Sequence, residues 1–167
     1  MRWIKRWVVK VVFWILGRAL RKAHRIDPDI AYYYSKVPSP LSFSFKVETT
    51  GPCLTVYREG EKVSYKTNCE ENTDIQFIFK NLEAAFMVFT ASISTIRAYA
   101  ENRVSVKGDI GDVMYIMRIL DRVQVYLFPR FIAERVVKRY PVITPFKLLK
   151  NRLRLILSLF FFFKREV

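Results

Sequence analysis

Apolar and polar residues alternate in five short runs, a period of two that is typical of half-buried strands. The apolar positions of these runs are Phe43, Phe45 and Val47; Leu54 and Val56; Val63 and Tyr65; Ile75, Phe77 and Phe79; and Val104 and Val106. Glu59-Gly60 separates the second run from the third, as a hairpin turn does. The pattern therefore predicts a sheet of about five strands.

Helical spacing fills the gaps between these runs. The predicted helices cover residues 3–20, 29–36, 81–91 and 94–100, the segment after Asp109, the segment FIAERVVKRY after Pro129, and residues 146–163. Asp27-Pro28 is a strong start for the second helix, because Asp caps free N–H groups and Pro suits the first helical position. Strands mixed with helices predict an α/β (α+β) fold.

The segment RVSVKGDIGDVMYIMRIL, residues 103–120, is the most informative unit of the chain. Its strand stops at Gly108-Asp109, where glycine can adopt positive φ and aspartate can cap a helix. Asp109 and Asp112 can also be viewed as a pair of carboxylates for acid–base chemistry. The simpler interpretation is a cap followed by an acid in the first turn, where the helix dipole favours it.

Residues 74–127 resemble the sterol carrier protein type 2 domain. The resemblance rests on DIQFIF as a core strand, NLEAAFMVFTA as the helix after it, a second short helix, and ENRVSVKGDIGDVM as the strand–GD–helix hallmark. It implies a twisted sheet covered by helices around an apolar cavity. Members bind sterols, fatty acyl chains or acyl-CoA, and others act as accessory lipid-binding domains without catalysis.

The apolar stripes of this unit supply candidates for the wall of a lipid cavity. They are Phe77, Phe79, Phe86, Phe89, Val104, Val106, Val113, Met114, Met117 and Leu120. Methionine suits such a wall because its unbranched, polarisable side chain can repack around different ligands. By periodicity alone these stripes favour a solid core, since an apolar stripe usually means packing, and it is the resemblance that favours the cavity.

Positive charge is concentrated at the two ends of the chain. The net charge is +14, yet residues 1–25 hold eight Lys or Arg and no acid, and residues 130–167 hold ten and two acids. Residues 26–129 hold eleven basic and thirteen acidic residues, which makes the middle nearly neutral. The apolar runs within both ends are too short to span a bilayer, which takes about 20 residues.

Both ends are therefore predicted to lie on a membrane surface as amphipathic helices. Aromatic residues favour the interface, and Lys and Arg are attracted to anionic headgroups. The candidate membrane-contacting residues are Trp3, Trp7, Lys10 and Trp14 in the first helix, and Lys147, Lys150, Arg154, Phe160 and Phe163 in the last. The alternative is that one or both helices pack on the domain. A cleaved signal peptide is not expected, because the segment after Leu16 has no small-x-small site.

Other classes of site find little support in the sequence. The basic ends could track nucleic acid, but no recognised motif accompanies them, so nucleic acid is an unlikely partner. His24 is the sole histidine and is expected to be solvated or to face lipid headgroups, without a metal. Cys53 and Cys69 are not directly opposite in the predicted hairpin, so we expect two thiols in a reducing compartment. We expect no enzyme activity and no cofactor.

Together these features predict a cytoplasmic, peripherally membrane-associated protein that binds a lipid. Residues 1–25 would form a basic, Trp-rich membrane helix, 26–128 a sterol-carrier-like domain, and 129–167 a basic helical tail. The domain would hold or transfer a sterol, fatty acyl or isoprenoid-type molecule in an internal tunnel. The alternative is a non-catalytic accessory factor that presents a lipophilic, quinone-type precursor to a lipid-modifying enzyme as its partner.

Overall fold

The computed structural model describes residues 2–48, 51–90, 92–128, 133 and 144–161. Its helices are α1 (Arg2–Ile26), α2 (Pro28–Ser35), α3 (Leu82–Phe89), α4 (Thr95–Ala100), α5 (Ile110–Leu127) and α6 (Pro145–Phe161). Its strands are β1 (Leu41–Val47), β2 (Cys53–Glu59), β3 (Lys62–Lys66), β4 (Ile75–Phe79) and β5 (Val104–Lys107). The predicted basic helix after Pro129 lies outside the described residues, apart from Ala133.

The described strands form one sheet in the order β3-β2-β1-β4-β5. The central pair, β1 and β4, is parallel, with Phe45 opposite Phe77. The remaining pairs are antiparallel, including the hairpin that turns at Glu59-Gly60. Five strands with helices packed against them confirm the predicted α+β fold.

Aromatic side chains of β1, β4, α1 and α3 meet in the core. The rings of Phe45 and Phe77 stack on adjacent strands with centroids 5.0 Å apart. Phe13 of α1 meets Phe89 of α3 edge-on, also at 5.0 Å. These contacts lock α1 and α3 onto the same face of the sheet.

Helix α1 is longer than predicted and belongs to this core. Val9, Phe13, Leu16, Leu20 and Ala23, spaced three or four residues apart, are all buried. That spacing places them on one helical face. A Cβ at Gly17 would stand 2.5 Å from the Tyr65 ring, so the glycine allows the helix to approach the sheet closely. One helix therefore supplies core residues from within the basic N-terminal region.

Cys53 and Cys69 form a disulfide, with Cα atoms 5.2 Å apart, so the expectation of two thiols is wrong. The two cysteines are not opposite each other in the hairpin of β2 and β3, because Cys69 lies beyond the end of β3. The loop after β3 folds back along β2, where the Thr55 hydroxyl donates to the Asn68 carbonyl oxygen at 3.0 Å. This brings Cys69 beside the start of β2. Disulfides are rare in reducing compartments. The two cysteines therefore no longer support the expected reducing compartment.

Helix α6 packs against α1 and α5. The Arg152 side chain donates hydrogen bonds to the carbonyl oxygens of Val125, at 3.0 Å, and Tyr126, at 3.2 Å. These carbonyl groups belong to the last turn of α5. Carbonyl groups in the last turn of a helix have no hydrogen-bond partner within that helix. Among the residues that the structure describes, none of the helices has the combined length and apolar character needed to cross a bilayer.

Candidate functional site

A small cavity lies where the sheet, α3 and α5 meet. Six of the predicted wall residues line it: Phe77, Phe79, Phe89, Val104, Met117 and Leu120. Phe45, Val88, Thr95, Asp121 and Gln124, which sequence reasoning missed, complete the wall that the structure describes. The site therefore combines aromatic residues from the sheet with residues of α5 that lie one turn apart.

The cavity volume is about 20 Å³, room for about one water molecule. Ligand pockets of drug-sized molecules are typically 300–1,000 Å³. Within the described residues, the predicted open tunnel is therefore absent from this site, because the Phe rings and α5 side chains fill most of the space. A lipid can enter only if these side chains repack or α5 moves away from the sheet.

Two polar residues of α5, in addition to Thr95 of α4, lie in this mainly apolar wall. Gln124 is only 7% exposed, and its Oε1 atom is buried without a hydrogen-bond partner. Burial raises the pKa of Asp121 to about 6. A buried polar atom normally finds a partner, because leaving one unsatisfied costs about 1–3 kcal/mol. The unpaired Gln124 oxygen is thus an exception that calls for an explanation.

Met114 does not occupy its predicted place. It is 53% exposed and does not line the cavity. Ile110, one turn earlier on the same stripe, is also exposed, and full burial along α5 begins only at Ile116. The first turns of α5 therefore extend beyond the packed layer, which periodicity cannot reveal. Phe86, Val106 and Val113 are half-buried around the core without lining this cavity.

Gly108 and Asp109 do what the sequence predicts. Gly108 has φ +128°, and a Cβ there would stand 2.7 Å from the Asp74 carbonyl oxygen. The Asp109 carboxylate accepts hydrogen bonds from the backbone N–H groups of Gly111, at 2.8 Å, and Asp112, at 3.2 Å. The aspartate is therefore the cap of α5, and its geometry is that of a structural residue.

The N-terminal half of α1 presents large apolar side chains to solvent. Trp3 is 73% exposed and Trp7 is 64% exposed, with Ile4 between them. Lys10 is also exposed. Trp14, predicted on the same stripe, is half-buried, and the guanidinium carbon of Arg18 lies 4.2 Å from its ring centroid. The exposed aromatic surface of α1 thus consists of Trp3 and Trp7, which we call the α1 tip.

Helix α6 turns Asn151 and Arg152 toward the protein, together with the buried Leu155, and exposes several other apolar side chains. Asn151 is buried, and its amide donates to the Tyr126 hydroxyl at 3.3 Å. The outward side holds Phe146, Leu149, Leu153 and Leu157 beside the exposed Lys147, Lys150 and Arg154. We call this set the α6 face. The side chain of Phe160 and all of Phe163 lie outside the described residues.

A buried polar network links α2, α5 and α6. The Asp27 carboxylate accepts hydrogen bonds from Arg122 Nε at 2.9 Å and from the Tyr126 hydroxyl at 2.6 Å. Burial alone would raise the pKa of Asp27, but these bonds and that from the Asp29 N–H lower it overall. The sequence showed Asp27 as a helix cap but gave no sign of partners almost a hundred residues away.

His24 is half-buried rather than fully solvated. Its ring meets Tyr34 edge-on with centroids 6.4 Å apart, and burial, followed by the charge of Arg25, lowers its pKa. The described residues contain no group of three or more His, Cys, Asp or Glu side chains that could hold a metal ion.

No family model matches the chain, and no curated protein matches it in sequence. Among solved structures, the chain is similar to one described as "UbiJ-SCP2 Ubiquinone synthesis protein", with a TM-score of 0.48 and 14% identity over 72% of this chain and 98% of that one. It is also similar to sterol carrier protein domain 2 of Helicoverpa armigera, with a TM-score of 0.43 and 18% identity over 62% and 81% of the two chains. For apo sterol carrier protein 2 from Yarrowia lipolytica the TM-score is 0.46, with 12% identity over 63% and 90%.

The order of elements from β4 to α5 is the one that the sequence resemblance predicts. A core strand leads to a helix, a short helix and a second strand, and the Gly108-Asp109 turn then starts a long helix. The predicted sterol-carrier-like fold is thus confirmed by the elements of the structure themselves.

Proposed function

We propose that this protein is a peripheral membrane protein that holds one hydrophobic lipid between its sheet and α5 and exchanges it with a membrane. The observation that carries the proposal is the aromatic cavity between Phe77, Phe79 and Phe89 on one side and Met117 and Leu120 on the other. Burial of a lipid chain there is favourable by ~25 cal/mol per Å² of apolar surface.

Loading requires the closed cavity to widen. The α5 side of the wall is the part that can adapt, because Met117 is unbranched and half-buried. The opposite wall is formed by β4 and β5, which are held by the sheet hydrogen bonds. We therefore expect the lipid chain to displace α5 side chains while the Phe rings of the sheet keep their places.

The α1 tip and the α6 face support the membrane part of the proposal. Each combines large exposed apolar side chains with nearby Lys residues, the composition of an interfacial surface. On α6 three leucines, Leu149, Leu153 and Leu157, remain exposed although Leu155 is buried in the core. Water does not favour that exposure, whereas an anionic lipid surface matches both the apolar side chains and the positive charges.

A vesicle sedimentation experiment tests the membrane contact. We expect Trp3→Ala with Trp7→Ala to lower the fraction that pellets with vesicles of phosphatidylcholine and anionic phosphatidylserine, because two exposed interfacial anchors are removed. Deleting residues 1–20 would be a poorer test, since Phe13 and Leu16 belong to the core. Tyr99→Ala is the matched control, because Tyr99 is an exposed aromatic residue on α4. Equal pelleting of the double variant and wild type would contradict this role of the α1 tip.

The accessory role is the second candidate, and it rests on the resemblance of residues 74–127 to a family with non-catalytic members. The two roles differ in what the isolated protein does. A carrier moves a fluorescent lipid from donor to acceptor vesicles by itself, at a rate that rises with protein concentration. An accessory factor leaves that rate near background and co-purifies with a lipid-modifying enzyme. We propose no chemistry on the bound lipid in either case.

A further inference from the structure

The wall of the cavity contains a residue with an unpaired buried oxygen. Gln124 lines the cavity, its side chain is more than nine-tenths buried, and its Oε1 atom has no hydrogen-bond partner among the described residues. A carbonyl oxygen accepts hydrogen bonds and donates none. The atom is therefore suited to a group with an O–H or N–H that enters the cavity.

Asp121 lies one helical turn before Gln124, and both side chains line the same cavity. Because burial raises the pKa of Asp121 to about 6, its carboxyl group is less readily charged than an exposed one. An ionised Asp121 accepts hydrogen bonds and a protonated one also donates. A hydroxyl group can satisfy either form, since a hydroxyl both donates and accepts.

We propose that Gln124 and Asp121 bind the polar end of the lipid, and that this end is an uncharged hydroxyl group. The inference rests on the proposed function, since it assigns the polarity of a ligand in the same cavity. The apolar chain then lies along Phe77, Phe79 and Phe89, whose rings are apolar. Alcohols with a long apolar body, such as sterols, prenols and fatty alcohols, have this chemistry.

The same pair of residues disfavours a fatty acid. A carboxylate would place its negative charge beside the acceptor oxygen of Gln124 and the carboxyl group of Asp121, with no cation among the described wall residues. Burying an unpaired charge costs far more than burying a hydroxyl that is hydrogen-bonded. Selectivity for alcohol over acid should therefore be a property of these two side chains.

A displacement assay with three probes of equal chain length tests the inference. The full chain is loaded with a fluorescent lipid, which is then displaced by hexadecanol, palmitate or hexadecylamine at pH 7.5. We expect hexadecanol to displace at a concentration at least tenfold lower than palmitate. In Gln124→Leu the hexadecanol affinity should fall by about tenfold, the usual effect of losing one buried hydrogen bond. Gln76→Leu is the matched control, because Gln76 lies on β4 and bonds to the Glu71 carbonyl oxygen away from the cavity.

Two further readouts keep the test decisive. Gln124→Leu should melt no lower than wild type, since it removes an unsatisfied buried oxygen. Asp121→Asn should strengthen palmitate binding several-fold, because it removes the repulsion between two carboxylates.

Equal affinity of wild type for alcohol and acid, unchanged in Gln124→Leu, would overturn the inference and leave the proposed function standing. A preference for hexadecylamine would also overturn it, and failure to bind any lipid would overturn both.

Discussion

Asp27 and Asp121 are acidic residues with opposite surroundings. Asp27 is fully buried, yet Arg122 and Tyr126 donate hydrogen bonds to it, and its pKa is lowered. Burial raises the pKa of Asp121 to about 6, and no hydrogen bond from the described residues offsets that effect. Buried charges are tolerated when they are paired and hydrogen-bonded. The Asp27 carboxylate therefore stabilises the fold. The Asp121 carboxyl group instead lowers the stability of the folded chain, and a role in ligand binding explains its position.

The raised pKa of Asp121 predicts how stability depends on pH. The folded protein holds the Asp121 proton up to about pH 6, whereas the unfolded chain releases it near pH 4, so stability falls as pH rises between these values. We expect Asp121→Asn, which cannot ionise, to be more stable than wild type at pH 7.5 and nearly equal to it at pH 4. Urea unfolding at both values measures the difference.

Glu59→Gln is the control for this measurement, because Glu59 is an exposed carboxylate at the end of β2. Its effect should be small at both pH values. If the difference between Asp121→Asn and wild type were the same at pH 4 and pH 7.5, Asp121 would not be the group that titrates.

Gly108 offers a test of the strand–GD–helix unit. Its positive φ and the close Asp74 carbonyl oxygen both oppose a side chain, so Gly108→Ala should destabilise the protein by about 2–4 kcal/mol. Gly60 also has positive φ, but a Cβ there would meet nothing within 4 Å. Gly60→Ala should therefore cost only about 1 kcal/mol. Chemical denaturation compares the two, and equal costs would show that the contact at Asp74 is unimportant.

At the scale of elements, much of the fold follows from the sequence. Alternation of Phe and Ser in β1 and of Phe and polar residues in β4 predicts the strands, because burial on one face requires a period of two. Caps at Asp27, Asn81, Ser94 and Asp109 start helices where they were expected. Local chemistry determines these features, so local sequence is enough to predict them.

The packing faces of α1 and α6 could not be predicted in the same way. Apolar residues surround α1 on almost every side, so the helical wheel does not single out Val9, Phe13 and Leu16 as the core face. In α6, Asn151 and Arg152 face inward because Tyr126 and the end of α5 offer acceptors. Such partners come from distant parts of the chain, and a helical pattern contains no information about them.

The disulfide is another long-range feature of an element, the loop that follows β3. It joins Cys53 to Cys69, which are separated by 16 positions along the chain. Replacing both by serine should lower the free energy of unfolding by about 3 kcal/mol, chiefly because the unfolded chain is less constrained. Chemical denaturation with and without dithiothreitol measures this loss for wild type, and dithiothreitol should leave the double serine variant unchanged. Alkylation of the unreduced, denatured wild type at both cysteines would contradict the bond.

At the scale of the whole molecule, α1 and the sheet share one core while α1 also carries the exposed Trp3 and Trp7. The exposed tryptophans of α1 are thus attached to the same core as the sheet, which forms one wall of the cavity. Six predicted wall residues meet in that cavity because strand and helix faces converge there. Asp121 and Gln124 escaped prediction because polar residues on a mainly apolar helix usually face water, and only the packing shows otherwise.

Native mass spectrometry of the intact chain tests the central claim most directly. After purification without detergent and incubation with vesicles of natural lipid extract, we expect one lipid to remain bound per chain and to leave on collisional activation. The variant Val104→Trp, which places a large ring in the cavity wall, should carry markedly less lipid while keeping its circular dichroism spectrum. A wild-type chain that shows only its own mass after the same treatment would contradict the account.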